Sequence, residues 1–252
     1  MPTLEKNCFW DSYEWSQDGD EWTDQAEFAA VAYAIWKQDI VDAFILPSIA
    51  ESSMVLEVAV GHGRWTPFLA RRAQRYIGVD FSLSCIDFCR KRFAHLTNVD
   101  FHNTDGRTLS LLLSDSVQFI WSYDSFVHME PDITECYMAE FARILSPGGR
   151  CTIHHPGTPT RRQRANGGRS ELSADLFARI ANGSGLQVLS QVDSWGPGNR
   201  SNTKLFADCI STIEKPNGTT AKGVPKIVTA DNVFKETKFE AFSSNGAHSS
   251  SP

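Results

Sequence analysis

No apolar run in this 252-residue sequence approaches the roughly 20 residues that a helical membrane span needs. The opening stretch MPTLEKNCFWDSYEW also lacks the basic-then-apolar build of a secretion signal. The expectation is a cytoplasmic protein with no membrane partner. Nor is there a basic excess: 24 Lys and Arg stand against 30 Asp and Glu, a net charge of −6 that describes a mildly acidic globule. The six cysteines, Cys8, Cys85, Cys89, Cys136, Cys151 and Cys209, form no Cys-x-x-Cys pair. In a chain long enough to bury a core without staples they read as reduced core thiols. There is no internal repeat.

What is present divides the chain into three parts. Residues 1–50 are aromatic and acidic, with Trp10, Trp15, Trp22 and Trp36, and apolar positions Phe28, Val31, Ile35, Ile40, Phe44 and Ile45 at helical spacing. A helical cap is expected there, with Trp10 and Trp15 either packing or folding down over a pocket. Residues 1–27 hold eight acids against the single base Lys6, which more than accounts for the net charge. Residues 215–252 are rich in Lys, Thr, Ser, Gly and Asn, without an apolar period, and read as a flexible tail.

Between them, residues 51–214 alternate short apolar runs with amphipathic stretches. Strands are expected at 54–60, 75–80, 98–103, 117–123 and 150–155. Helices are expected at 64–73, after Ser82 as N-cap with Leu83, Ile86, Cys89 and Phe93 on one face, from Pro131 to the Ser146–Gly149 stop, and near 173–183. Two last strands, 185–195 and 203–212, read as an antiparallel pair at one side. Strand alternating with helix implies a Rossmann-like α/β fold: a mostly parallel seven-stranded sheet with helices on both faces.

In such sheets ligands bind beyond the carboxyl ends of the strands. The first strand carries Glu57 and is followed by Ala59, Gly61 and Gly63, the glycines permitting positive φ and close backbone approach. A dinucleotide fingerprint would need Gly or Ala at 66, where Thr66 stands, and this argues against NAD or FAD. Asp80, followed by Phe81, ends the second strand, and Asp105-Gly106 follows the third. These carboxylates can accept hydrogen bonds from a ribose diol and an adenine amino group, or can cap the helices that follow.

Asp124 and His128, after Tyr123 on the fourth strand, lie four apart and share a face if the segment turns helically. An imidazole, with an ordinary pKa of about 6.5, can take a hydroxyl proton when a carboxylate orients it. The alternative is a loop-stabilising histidine. His154 and His155 end the fifth strand on opposite faces, and one of them is expected in an acceptor pocket. A metal site built from Asp124, His128 and these histidines is a further possibility, not the favoured one. Arg161, Arg162, Arg164 and Arg169 follow in a loop that is either a clamp for an anionic group or a solvated surface. The remaining basic residues fit exposed helix ends without aromatic interleaving, which speaks against a nucleic-acid groove.

Taken together, Glu57, Gly61, Gly63, Asp80 and Asp105 resemble the class I S-adenosylmethionine-dependent methyltransferases over about Met54 to Ile213. The chain departs from that family's alternating glycines at Ala59. The resemblance implies S-adenosylmethionine as cofactor, with Glu57, Ala59, Gly61, Gly63, Asp80, Phe81, Asp105, Gly106 and Tyr123 around it. It implies a small-molecule acceptor methylated at a hydroxyl oxygen, and Asp124, His128 and His154 or His155 as the groups that position or deprotonate it. The place after the fourth strand reads Tyr123-Asp124-Ser125-Phe126, unlike the Pro-Pro-aromatic segment of amino-directed DNA methyltransferases. The rival readings are a cofactor-binding module without turnover and, less favoured, a nicotinamide-dependent oxidoreductase.

Overall fold

The computed structural model describes residues 10, 13–16, 20, 31–158 and 168–218. Arg161, Arg162, Arg164, Phe28, Trp22 and most of the tail lie outside the described residues. The chain builds β1 (Met54–Val58), α2 (Thr66–Ala70), β2 (Arg75–Asp80), α3 (Leu83–Arg92), β3 (Val99–Asn103), β4 (Val117–Ser122), α4 (Pro131–Ile144), β5 (Leu145–Pro156), α5 (Ala174–Gly183) and β6 (Gln187–Val192). A helix α1 (Tyr33–Ile40) precedes them; β7 (Ser194–Trp195), β8 (Ser201–Asn202) and β9 (Asp208–Glu214) follow. The main sheet has the order β3-β2-β1-β4-β5-β9-β6. Its first five members are parallel, and β9 runs antiparallel between β5 and β6. The strand order reverses between β1 and β4, which puts the switch point of this Rossmann-like sheet beside the turns after those two strands.

Both faces are covered because the strands are apolar on both sides. One face packs Trp65, Leu69, Ile86, Cys89 and Phe93 together with the cap residues Trp36, Ile40 and Ile45. The other packs Tyr137, Phe141, Phe177 and Ile180 from α4 and α5. The helix starts are those expected. The Ser82 hydroxyl accepts from the Cys85 N–H and caps α3, Ser173 does the same for Leu176 in α5, and Pro131 opens α4.

Several expectations are corrected. Leu83 is 54% exposed; Cys85 replaces it on the buried face with Ile86, Cys89 and Phe93. Ile35 likewise points outward, and α1 continues through a π turn (Val41–Ile45) that rotates Val41, Phe44 and Ile45 inward. The helix expected at 64–73 is limited to Thr66–Ala70, with Pro67 in its first turn. The Ser146–Gly149 stretch ends α4 without leaving the strand: it bulges out between the Val117–Leu145 and Phe119–Arg150 pairs of β4 and β5. Of the strand expected at 185–195, only Gln187–Val192 joins the main sheet, while Ser194–Trp195 pairs with Ser201–Asn202 in a separate hairpin. Residues 204–206 form a 3-10 turn, so the last strand starts at Asp208. No helix among the described residues is long and apolar enough to cross a membrane.

The cap is fastened by a buried charge. Asp39, on α1, is almost fully buried and accepts two hydrogen bonds from Arg200 (2.8 and 2.7 Å) and one from the Ser201 hydroxyl (2.6 Å). The Arg200 hydrogen bond holds its carboxyl below the usual range. That stabilisation is present above the ordinary carboxylate pKa and is lost as pH falls below it. Gly196 sits against this carboxylate at φ +76°, and a Cβ there would lie 2.5 Å from Asp39 Oδ2. Gly196→Ala is therefore expected to destabilise the fold by about 2 kcal/mol or more, from the left-handed backbone and the displaced ion pair. Thermal denaturation would read this, and an unchanged midpoint would show that the cap is held elsewhere.

Candidate active site

The turn after β1 runs through three left-handed residues: Ala59 (φ +59°), Gly61 (φ +53°) and Gly63 (φ +85°). Ala59 adopts this conformation despite its Cβ, at a cost of about 1–2 kcal/mol. The turn is held from the neighbouring strand. Asp80 accepts the Gly61 N–H on Oδ2 and the Ser82 N–H on Oδ1, both at 2.9 Å, so one carboxylate joins the glycine turn to the start of α3. The Asn103 side-chain amide donates to the backbone carbonyls of Asp80 and Phe81, which ties in the end of β3. Asp105 accepts the N–H groups of Arg107 (2.8 Å) and Thr108 (2.7 Å) in a local turn; no helix follows it before β4, so it is not the helix cap that the sequence offered as the alternative.

Three cavities open along these carboxyl ends. The outer one, about 150 Å³, is walled by Gly61, Asp80, Phe81, Asp105, Gly106 and Ile133 and roofed by Trp10 and Trp15. The Trp15 ring lies 3.0 Å from where a Gly61 Cβ would stand and faces the His62 ring at 5.5 Å. Trp10 meets the His128 ring edge-on at 5.1 Å. An inner cavity of about 60 Å³ lies beneath Trp15, between Glu57, Arg64, Trp65 and Tyr123. A third, about 90 Å³, lies between Trp36, Tyr123, His128, His154, Arg169 and Asp208. Ala59 lines the first two, His128 the first and third, and Tyr123 the inner and third. Asp124 lines all three.

Asp124 reaches that junction through a left-handed backbone, φ +65°. Its N–H donates to Nδ1 of His154 at 3.2 Å, and the His154 ring stacks on Tyr123 with centroids 4.3 Å apart. Because Nδ1 accepts, the His154 proton sits on Nε2, which faces Asp208 Oδ2 at 3.5 Å. The Asp124 carboxylate lies 3.9 Å from the Arg64 guanidinium, and its Oδ2 is buried without a hydrogen bond. His128 follows in a turn, its N–H bonded to the Ser125 carbonyl. It shares the outer and third cavities with Asp124, but its Nδ1 meets the Gly168 carbonyl. A carbonyl only accepts, so Nδ1 carries the proton and Nε2 is the basic nitrogen of the neutral ring.

Two expected site residues are placed away from the cavities. His155 points to the opposite face of the sheet, as strand alternation requires. It stacks on Phe177 at 3.9 Å and bonds Ser211, and burial pushes its pKa down to about 3. Gly63 borders none of the three cavities; its left-handed backbone and a Cβ that would meet Phe93 at 2.4 Å both require glycine there. Glu57 lies under the turn, where desolvation raises its pKa to about 8 against the hydrogen bonds from Tyr76 and Thr66. Among the described residues, no three His, Cys, Asp or Glu are grouped to hold a metal ion.

Sequence reasoning missed Arg64 and Asp208. Arg64 directly follows the glycine turn, a position that could have drawn notice. Asp208 reaches the site only because β9 pairs antiparallel with β5, opposite Pro156, and no local signal announces that.

Residues 55–149 match the family model described as a methyltransferase domain. Among curated proteins, the chain is 33% identical over 101 residues, 39% of its length, to a fatty-acid O-methyltransferase of Mycolicibacterium smegmatis. The aligned stretches span 23% to 38% of the length of the curated relatives it matches. Among solved structures, a geranyl diphosphate C-methyltransferase from Streptomyces coelicolor, in complex with Mg2+, geranyl diphosphate and S-adenosyl-L-homocysteine, superposes with TM-score 0.64 at 14% identity. That superposition covers 85% of this chain and 99% of the other. The cyclase SpnF superposes with TM-score 0.57 at 18% identity, covering 71% and 80%.

Proposed function

We propose that this chain, whose residues 55–149 match a methyltransferase domain, is a class I S-adenosylmethionine-dependent methyltransferase that transfers the methyl group of that cofactor to a hydroxyl oxygen of a small-molecule acceptor. The observation that carries the reading is the position of Asp124, on the common wall of the three cavities. In this reading the outer and inner cavities take the cofactor and the cavity under Trp36 takes the acceptor. The outer walls fit a nucleoside. The Asp80 carboxylate, fixed by the Gly61 and Ser82 N–H groups, borders the cavity, and Phe81 and Ile133 offer apolar faces.

The cofactor supplies an activated methyl group on a sulfonium; the chain has to align, dehydrate and deprotonate. Trp10 and Trp15 cover the outer cavity and exclude water. Residues 51–214 then act as the binding domain, and Trp10, Trp15 and residues 31–50 belong to its cover. Asp124 orients the acceptor, and Nε2 of His128, its proton directed to the other nitrogen by Gly168, takes the hydroxyl proton. Gly61, Asp80, Phe81 and Gly106 hold the cofactor directly, while Glu57 and Tyr123 act from the inner cavity.

His128→Ala is expected to lower turnover by about 100-fold or more, the usual contribution of a general base, with cofactor affinity kept. A screen with radiolabelled S-adenosylmethionine against sugars, phenols and cell extract supplies the acceptor, and calorimetry supplies the affinity. Wild-type turnover by the variant would remove His128 from the reaction. A second reading, in keeping with a cyclase on the same fold, is a cofactor-binding protein that performs no methyl transfer. It predicts tight cofactor binding with no labelled product from any acceptor.

A further inference from the structure

Two buried polar groups on the wall of the third cavity have no hydrogen-bond partner among the described residues. One is Nε2 of His154, a residue 4% exposed whose ring proton sits on that nitrogen because Nδ1 accepts the Asp124 N–H. Asp208 Oδ2 stands 3.5 Å from it, beyond the ordinary hydrogen-bond range. The other is Oδ2 of Asp124. Oδ1 of the same carboxylate is 3.8 Å from Nδ1 of His154, so the carboxylate and the ring are neighbours on the wall. A buried donor and a buried carboxylate oxygen left unpaired cost free energy, which a ligand recovers by pairing them. The charges of the cavity set a second condition. Asp124 and Asp208 are both carboxylates, and Arg169, the one arginine or lysine described on the wall, is already committed to Asp208 by an ion pair. An anionic ligand there meets two carboxylates and no uncommitted arginine or lysine among the described residues. Trp36 and Phe206 supply flat apolar surface, and Leu205, 56% exposed, makes the rim apolar.

We propose that the acceptor is an uncharged ring compound bearing two hydroxyls on neighbouring carbons, and that the Nε2–H of His154 selects for the second of them. This rests on reading the third cavity as the acceptor site. One hydroxyl gives its proton to Nε2 of His128 and is the one methylated. The other donates to Asp124 Oδ2 and accepts from the His154 Nε2–H, which pairs both buried groups at once. Only a hydroxyl does both. A carbonyl or a methyl ether has no proton for Asp124, and a carboxylate would face it with like charge. A lone hydroxyl leaves His154 and Asp124 unpaired, and a site built to bond a hydroxyl rejects the analogue that lacks it. The same requirement limits the reaction to one methyl group. To methylate the remaining hydroxyl, the new methoxy oxygen would have to take its place and donate a proton that it lacks.

The test follows labelled product from radiolabelled S-adenosylmethionine, using the full chain and five acceptors: ortho-dihydroxybenzene, its meta isomer, phenol, ortho-methoxyphenol and ortho-hydroxybenzoate. For the wild type, kcat/KM for the ortho-dihydroxy compound is expected to exceed that of each other acceptor by about tenfold or more, with only the singly methylated product. His154→Asn is the informative variant. Its amide oxygen can accept the Asp124 N–H, while no donor replaces Nε2–H. Its preference for the ortho-dihydroxy compound over phenol should fall toward one, through a raised KM; a merely structural role for His154 would lower both acceptors alike. Equal kcat/KM for the two dihydroxy isomers and phenol, or a preference for ortho-hydroxybenzoate, overturns the inference and leaves methyl transfer standing. An undiminished preference in His154→Asn overturns it as well. If that variant does not fold, the wild-type ranking decides alone. No product from any of the five, by a chain that binds S-adenosylmethionine in calorimetry, overturns the inference with the cofactor site intact. Absence of cofactor binding overturns the reading of the site, and the inference with it.

Discussion

Asp124→Asn is expected to reduce methyl transfer by about 100-fold or more while the protein folds and still binds S-adenosylmethionine. Asparagine is the informative replacement because position 124 is left-handed, and Asn tolerates that conformation nearly as well as Asp. The backbone N–H would go on donating to His154, so the turn that aims the side chain survives. What changes is the charge at the junction of the three cavities, between Arg64 at 3.9 Å and Nδ1 of His154 at 3.8 Å. Asp124→Ala removes the same charge but adds backbone strain of about 1–2 kcal/mol, and is expected to show a lowered melting temperature as well. Turnover on an identified acceptor, beside calorimetric affinity and thermal denaturation of both variants, separates the two effects. Turnover within twofold of wild type for Asp124→Asn would mean that the carboxylate only shapes the wall.

The parallel half of the sheet was legible because its strands carry apolar runs, and β2, β3 and β4 end in the polar residues Asp80, Asn103 and Ser122. Arg75–Asp80 matches residue for residue. The far side was less so. Between Val192 and Asp208 the chain makes a hairpin and two 3-10 turns, whose apolar residues Trp195, Leu205 and Phe206 imitate strand composition without joining the main sheet. The site divided along the same line. Asp80, Asp105, Gly61 and Gly106 could be read because they follow strands directly. The opposite directions of His154 and His155 follow from alternation alone, but which of the two faces the cavity depends on which face of the sheet α4 and α5 cover. Glu57 and Gly63 show where pattern misleads. Both belong to the glycine-turn motif, yet one lies beneath the turn on the inner cavity and the other is glycine for its left-handed backbone and its packing on Phe93. Asp208 carried no signal, since a contact made by antiparallel pairing across more than fifty residues leaves no mark in local sequence.

Asp80→Ala is expected to weaken S-adenosylmethionine binding by about 1.5–3 kcal/mol or more, roughly ten- to more than a hundredfold. The first part of the loss is direct, a carboxylate that faces the outer cavity and accepts hydrogen bonds there. The second is indirect. Without Asp80 the Gly61 and Ser82 N–H groups lose their acceptor, and the turn that carries Ala59 in a strained conformation loses its tether to β2. Asp105→Ala provides the contrast. Its carboxylate is occupied by Arg107 and Thr108 at the edge of the same cavity, so removing it should cost less affinity than removing Asp80. Asp80→Asn isolates the direct part: its amide oxygen can keep the Gly61 N–H, and its affinity should fall between those of wild type and Asp80→Ala. Calorimetric titration of the three variants decides the order. Equal affinities for wild type and Asp80→Ala would move the cofactor away from the outer cavity, and with it the assignment of Asp124 as the meeting point of the two reactants.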